Sequence, residues 1–205
     1  MSAFSIDSIN SMCLDLLKEI GNIGSGNAAT SLSQMINMKV DMQVPNIEVM
    51  ETEKVVDLFN DPEEITVGVY INFTGDIEGT ILTLLDQKSA QVLISKLIGT
   101  SPEGYMYTDM EKSVVQELGN IMTSGYVNAI SMFSNLFMNI SIPSVSVDMV
   151  SSILSVPAVE YGIESDKLIL IENKLDLEGE NVNCYFFFMP DLPSFEKLFV
   201  KLGVL

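Results

Sequence analysis

Two trios of polar residues have the types and the spacing to place working side chains next to one another on a helix. Each trio reads Asp or Ser, then Glu four residues later, then Asn three residues after that; the members are Asp15, Glu19 and Asn22 in the first trio and Ser113, Glu117 and Asn120 in the second. An α-helix has about 3.6 residues per turn, so positions i, i+4 and i+7 lie within roughly 60° of one another. Each trio therefore predicts one polar line that faces outward from a helix.

The composition excludes several kinds of catalysis. The chain has no His, and all ten of its basic residues are Lys. The protein therefore has no nucleophile activated by His, no imidazole zinc site and no arginine clamp for phosphate. If it acts on phosphate, another molecule must supply much of the positive charge.

The length and the charge limit the fold and the partners. A chain of 205 residues, 47% of them hydrophobic, can bury a proper core. The 28 acidic residues give a net charge of -18, which disfavours nucleic acid and anionic membranes and favours a basic partner surface. Cys13 and Cys184 are too few and too far apart for a disulfide framework or a metal knuckle, so we expect reduced core residues.

Neither the N-terminus nor the long uncharged stretch predicts a membrane or secretory segment. The first ten residues, MSAFSIDSIN, lack the basic and apolar regions of a secretory signal, so we expect a cytoplasmic protein. Leu118 to Val147 carries no charge, but it contains many Asn and Ser residues and is interrupted by Pro143. A buried helix that runs into a strand fits this stretch better than a membrane span.

The first trio lies in a segment with helical periodicity, from about Asp7 to Met38. Its apolar side is expected to hold Ile9, Met12, Cys13, Leu16, Ile20 and Ile23, and its small residues, Gly24 among them, would let another backbone approach closely. The strand KVDMQVPNIEV follows, and its apolar alternation changes phase by one residue at Pro45, which predicts a bulge. A short helix at Glu53 to Asn60, strands TVGVYINFTG and GTILTLLD, and a helix from Gln87 to Ile98 complete a helix, three strands, helix unit.

The second half repeats this order. Thr108 and Glu111 predict a capping box for a helix that runs to about Leu136, and FMNISIPSVSV changes phase at Pro143. A shift of 98 positions superposes Glu19, Gly21, Asn22, Ile23, Ser33, Asn37, Pro45 and Val49 on identical residues, which indicates an internal repeat. A short helix in DMVSSILSV, strands LILIENKLDLEG and VNCYFFFMP, and a last helix complete this half.

We therefore expect one α+β domain over residues 1–205. Its internal repeats, at about 7–99 and 108–203, are helix, three strands, helix units related by a pseudo-two-fold axis, with two long helices that carry the trios.

Three features of the sequence allow more than one interpretation. A polar line on one helix is usually a solvated face, but the two trios match where neighbouring positions differ, as at Lys18 and Gln116. GNIGSGNAAT imitates a phosphate-binding glycine loop, but a helical segment precedes it where that loop requires a strand. Asp76 and Glu78, like Asp176 and Glu178, lie in tight connections between strands and are interpreted as turn residues.

The segments that carry the trios, LLKEIGNIGSGNAAT and VVQELGNIM, resemble the CheC/CheX/FliY family of bacterial chemotaxis phosphatases. The resemblance covers nearly the whole chain, including PNIEV, the DPEE turn, TGDIEG and SVDMVSSI. It implies an enzyme that hydrolyses the aspartyl phosphate of the response regulator CheY and binds the receptor deamidase CheD. Two intact motifs favour the stand-alone CheC type within this family.

Carried onto this sequence, the resemblance implies two active sites in one chain, formed by Glu19 with Asn22 and by Glu117 with Asn120. The Asn amide is expected to orient a water in line with the phosphate, while the Glu binds a Lys of the regulator. Asp15 and Ser113 are expected to support the Glu or touch the regulator. The regulator holds the Mg²⁺, so no cofactor bound by this chain is expected.

Two further functions remain open from the sequence. Asp148 falls in a segment similar to the family's CheD-contacting helix, although an acidic residue before a helix could equally be an N-cap. The chain could therefore be mainly a CheD-binding regulatory module with weak or no phosphatase activity. A structural acidic protein of the flagellar base is the third interpretation.

Overall fold

Each half of the chain begins with a long helix and continues into strands. The computed structural model describes residues 9–44, 46–59, 61, 63–100, 102–161 and 167–204, with the backbone alone for 157–161. The first half forms α1 (Ser11–Ile36), β1 (Asp41–Gln43), β2 (Ile47–Glu51), a 3-10 helix (Thr52–Leu58), β3 (Ile65–Gly75), β4 (Gly79–Asp86) and α2 (Gln87–Ile98). The second forms α3 (Asp109–Ser134), β5 (Met138–Ile140), β6 (Ser144–Met149), α4 (Val150–Tyr161), β7 (Lys167–Leu177), β8 (Glu180–Pro190) and α5 (Leu192–Lys201).

The two long helices, α1 and α3, start and stop on local signals. At α1, the Asn10 side chain accepts a hydrogen bond from the Cys13 N–H, so the helix begins at Ser11; the predicted start near Asp7 lies outside the described residues. At α3, the Glu111 N–H donates to Thr108 Oγ1 and the Thr108 N–H donates to Glu111 Oε2, which confirms the predicted capping box. Both helices end at a left-handed Asn, Asn37 and Asn135, a conformation that Asn adopts more readily than most residues.

The strands of the two halves are interleaved in one sheet. Its order is β1-β7-β8-β4-β3-β5, with β2 also paired to β7 and β6 also paired to β3. The first strands of each half therefore pair with the middle strand of the other half, while β4 and β8 meet at the centre. All the described strand pairs are antiparallel. The first two strands of each half pair with a strand of the other half, so the sheet is built from both halves together.

The predicted bulge is confirmed in both copies, but it also divides the strand. Gln43 pairs with Lys174 and Ile47 with Ile171, so four steps on one strand face three on the other. In the second copy the same count separates Ile140, opposite Phe73, from Ser144, opposite Tyr70. One extra residue per copy explains the change of phase, and it gives each half four strand segments where three were predicted.

Both faces of the central strands are buried. Phe186 and Phe188 point toward α1, α3 and α5, whereas Phe187 points toward α4 and the 3-10 helix. This two-sided burial explains why β4 and β8 are almost continuously apolar rather than alternating. Each large aromatic side chain removed from water contributes about 1.5–3 kcal/mol to folding.

The two long helices contact each other through glycine. A Cβ on Gly125 would lie 2.6 Å from the Gly24 carbonyl oxygen, and one on Gly24 would lie 3.0 Å from the Tyr126 Cα. These short distances confirm that small residues permit a close approach, whereas a Cβ on Gly26 would meet no atom of another element within 4 Å. The N-terminal half of α1 shares a core cluster with the C-terminal half of α3, and the reverse also holds, so the trios lie toward opposite ends of the helix pair.

Several smaller predictions can also be compared with the structure. Cys13 and Cys184 are free and buried as expected, and the uncharged stretch from Leu118 is the helix α3 followed by β5 and β6. The predicted short helix after β2 is a 3-10 helix that ends at Leu58; Asn60 and Pro62 lie outside the described residues. Among the helices described, none has the length and apolar character needed to cross a membrane.

One expected core residue is not in the core. Met12 was assigned to the apolar side of α1, but 63% of it is exposed. Its neighbours on that side, Cys13, Leu17 and Ile20, are at most 2% exposed. The apolar side of α1 therefore begins at Cys13, and Met12 lies with the polar residues.

Candidate functional site

The first trio lies on the outer face of α1. Asp15, Glu19 and Asn22 are all exposed, while Leu17, Ile20 and Gly21, which alternate with them, are buried. The buried positions hold the helix against the sheet, so the three polar side chains point away from it. The structure thus brings the first trio together on one surface, as the periodicity predicts.

The second trio lines a cleft of about 420 Å³ beside α3. Ser113 and Glu117 are exposed and Asn120 is partly buried. The opposite wall is the bulge between β5 and β6, which contributes Ile140, Ser141, Ile142 and Pro143. The second trio is therefore a side of a groove rather than a bare helix face.

The Glu and Asn side chains of both trios have no bonding partner among the described residues. Within the described part of the chain, no group hydrogen-bonds to the side-chain amide of Asn22 or Asn120. Nor does any described Lys lie within ion-pair distance of Glu19 or Glu117. Two acceptor carboxylates and two amides that can both donate and accept thus remain available on the surface.

The first position of the second trio is already occupied by a local contact. Ser113 Oγ donates to the Asp109 carbonyl oxygen at 2.8 Å, four residues earlier on the same helix. This hydroxyl is therefore turned toward its own backbone, and the chain has no His that could activate it as a nucleophile.

A glutamine next to the second trio holds the bulge in place. Gln116 Nε2 donates to the Pro143 carbonyl oxygen at 3.2 Å, which joins α3 to the far wall of the cleft. Neither this contact nor the bulge was predicted to belong to the site. The sequence does contain a pattern that links the bulge to the trio, because in both copies a phase change and a Pro follow the Asn after 23 residues.

Asp148 lies apart from both trios. It is an exposed residue of β6 and pairs with Thr66, on the sheet face that α4 covers. Its carboxylate accepts a hydrogen bond from the N–H of Met149, the next residue, and not from an N–H in the first turn of α4. Asp148 therefore lies in a strand next to the predicted helix, and on a different surface from the trios.

The described residues do not form a metal centre. No group of three or more His, Cys, Asp or Glu side chains in the part of the chain that the structure describes is arranged to hold an ion.

Comparison with known proteins agrees with this architecture. The CheC-like family profile matches residues 12–49 and 110–147, two segments separated by the same 98 positions as the repeat. A Bacillus subtilis protein named CheY-P phosphatase CheC is 30% identical over 195 residues, which cover 93% of each chain. The flagellar motor switch phosphatase FliY of the same organism is 31% identical over 142 residues, or 68% of this chain and 37% of that protein.

A solved structure shows the same fold. The crystal structure of FliY from Thermotoga maritima superposes with a TM-score of 0.77 at 23% identity, over 96% of this chain and 98% of that one. The family profile in both halves, the shared fold and the relative with 30% identity along nearly its whole length lead to one assignment: the chain belongs to the CheC-like family.

Proposed function

We propose that this chain is a protein phosphatase that hydrolyses the aspartyl phosphate of CheY, and that both trios are active sites. The observation that carries the proposal is that each long helix presents a Glu carboxylate and an Asn amide that no described side chain binds. The substrate is suggested by the relative named CheY-P phosphatase, which is similar along 93% of both chains.

The amide of Asn22 or Asn120 positions the attacking water. An aspartyl phosphate is an activated acyl phosphate, so a water held in line with the phosphorus needs little further activation. Water attacks the phosphorus, and the bond between phosphorus and the aspartyl oxygen breaks. The products are inorganic phosphate and the free aspartyl carboxylate. An amide has one acceptor and two donor hydrogens, which suits it to hold a water by two contacts.

The glutamate of each trio holds the partner. Glu19 and Glu117 are exposed on a chain with a net charge of -18, so they favour a basic group on the regulator. A Lys at the regulator's phosphorylation site matches this charge, and the Mg²⁺ that the regulator holds offsets the charge of the phosphate. The regulator thus supplies the cations that the two trios lack.

Covalent catalysis by this chain is a poorer fit. Ser113 is the hydroxyl nearest to Glu117 in sequence, but it donates to the Asp109 carbonyl and has no base beside it. In the first copy the same position is Asp15, which has no hydroxyl. A mechanism common to both copies therefore relies on water.

CheD binding is proposed for the surface around Asp148. This exposed carboxylate borders a cleft of about 410 Å³ with both polar and apolar lining, which includes Ser146, Ser152, Ile153 and Val156. This cleft shares no lining residue with the cleft beside the second trio, so the proposed CheD and CheY surfaces are distinct. Asp148→Lys is expected to weaken CheD binding and to leave hydrolysis unchanged.

The activity is tested by the decay of phosphorylated CheY with Mg²⁺ present. We compare no addition, the wild-type protein, Asn22→Ala, Asn120→Ala and the double variant. Each single variant is expected to retain the activity of its intact site, and the double to lose about 100-fold, the typical cost of removing a polar group that acts in a transition state. Asn27→Ala and Asn128→Ala are matched controls, because both residues are exposed Asn on the same helices without an Asn at the repeat position.

Two results would overturn parts of this proposal. If the wild-type protein does not accelerate decay, even with CheD added, the phosphatase is excluded and the CheD-binding module becomes the better account. If the double variant remains active, the trios are not the active sites. Retention of CheD binding by the double variant would separate the two surfaces, whereas its loss would contradict their independence.

A further inference from the structure

Most identical positions of the two repeats are explained by the fold. A Cβ on Gly21 would lie 3.2 Å from Ile47, and one on Gly119 would lie 2.6 Å from Val69. Asn37 and Asn135 adopt the left-handed conformation that ends each helix. Pro143 lies in the bulge between β5 and β6, Pro45 lies outside the described residues, and Ile23, Val49 and their counterparts pack against the core.

A methionine is repeated without such a reason. Met12 and Met110 are separated by the same 98 positions, and they are 63% and 64% exposed. Neither belongs to a hydrophobic cluster among the residues that the structure describes. Glu19 and Glu117 have the same combination of features: the residue is identical in both copies, it is exposed in both, and it has no role in folding.

Helix geometry places each Met on the polar line of its trio. Seven residues separate Met12 from Glu19, which is about 20° around the helix and about 10 Å along it. Asn22 is about 15 Å from Met12 along the same axis. The order Met, Asp or Ser, Glu, Asn therefore forms one continuous strip on α1 and again on α3.

We propose that Met12 and Met110 are apolar contact residues through which each site holds CheY, an inference that rests on the proposed function. A stable interface covers about 800 Å² per partner, so a contact about 15 Å from the reacting group lies within its expected extent. Met is enriched at interface centres and adapts its shape to a partner. Each strip then combines apolar contact, charge recognition and water positioning in sequence along one helix.

The test is steady-state hydrolysis of phosphorylated CheY in a protein with one active site. With Asn22→Ala silencing the first trio, Met110→Ala is expected to raise KM for phosphorylated CheY about fivefold to tenfold and leave kcat unchanged. Met110→Leu restores an apolar side chain of similar size and is expected to recover most of the affinity. The corresponding experiment uses Met12→Ala with Asn120→Ala.

Met132→Ala is the matched control. Met132 lies on the same helix as Met110 and is 62% exposed, but its repeat position is Gln34. Met132→Ala is expected to leave KM unchanged, and all four methionine variants should unfold at the wild-type temperature because the side chains are exposed.

The outcomes separate this inference from the proposed function. A wild-type protein that fails to accelerate decay overturns both. If the wild type is active, an unchanged KM in Met110→Ala and Met12→Ala overturns the contact role alone. A fall in kcat with no change in KM also contradicts it, because a holding contact acts on affinity.

Discussion

The two trios are alike in the residues that face outward and unlike in what lies beside them. At the first trio, α1 lies over its bulge: the position that a Cβ of Gly21 would take is 3.2 Å from Ile47 and 3.8 Å from Val44. At the second, the equivalent Gly119 of α3 faces Val69 of β3 instead. The two copies of the motif therefore differ in the part of the sheet that their helix contacts.

This difference decides the environment of the bulge. Val44, next to Pro45, is buried at 5% exposure, whereas Ile142, at the same place beside Pro143, is 89% exposed. The displaced α3 leaves the cleft in which Asn120 is partly buried, while Asn22 stands exposed on α1. Duplication thus preserved the outward strip and allowed the supporting contacts to diverge.

The largest expected effect comes from exchanging the bulge residues for serine. Val44→Ser removes a buried side chain and buries a hydroxyl, so we expect the free energy of unfolding to fall by about 2–4 kcal/mol. Ile142→Ser changes an exposed position and should stay within about 0.5 kcal/mol of wild type. Urea denaturation of both variants measures the difference, and equal losses would show that the two bulges are equivalent.

A smaller effect is expected at the residue that ties α3 to its bulge. Gln116→Ala removes the hydrogen bond to Pro143, a contact worth about 0.5–1.5 kcal/mol. In the Asn22→Ala background we expect kcat/KM to fall about threefold. A rise of about 0.65 kcal/mol in the activation free energy, near the lower end of the range for this bond, corresponds to that factor. Hydrogen exchange at the amides of Ser141 and Ser144 should quicken independently of activity.

The control for Gln116 is Gln34, an exposed glutamine near the end of α1. Gln34→Ala should change neither the hydrolysis rate nor the exchange at the bulge. Unaltered exchange in Gln116→Ala would show that the bulge is held by its strand pairing alone.

The sequence predicts the parts of this comparison that depend on local pattern. Residues 11–36 and 109–134 are helical because their periodicity and caps agree, and the change of phase at Pro143 predicts the bulge. The 98-residue offset predicts that the trios are equivalent. Each of these features depends on residues close together in the chain or on identity between the halves.

The sequence does not predict features that arise from long-range packing. The pairing of β1 with β7 and of β6 with β3 joins residues more than 70 positions apart, and the apolar patterns allow other orders. Val44 and Ile142 are both apolar, so only the resting place of each helix distinguishes them. Met12 was placed in the core because its residue type outweighed a periodicity that puts it on the polar line.

The smallest expected effect concerns the connections between strands, where the halves also differ. Asp176 closes its own turn, accepting a hydrogen bond from the Gly179 N–H at 2.6 Å. Asp76 instead reaches the other half: its carboxylate accepts from the Phe137 N–H at 2.9 Å and lies 3.2 Å from Lys197 Nζ. The Phe137 bond first, and then Lys197, lower the pKa of Asp76 below its ordinary value of 3.8.

Because the folded state lowers this pKa, the bond stabilises the fold fully above about pH 4 and is lost as the pH falls through the folded value. Asp76→Asn should therefore lower the melting temperature at pH 7, and its difference from wild type should shrink as the pH falls below about 4. Lys197→Met removes the weaker cause and should give an intermediate curve. Parallel curves for wild type and Asp76→Asn from pH 7 to 3 would mean that the first hairpin, like the second, is stabilised within its own turn.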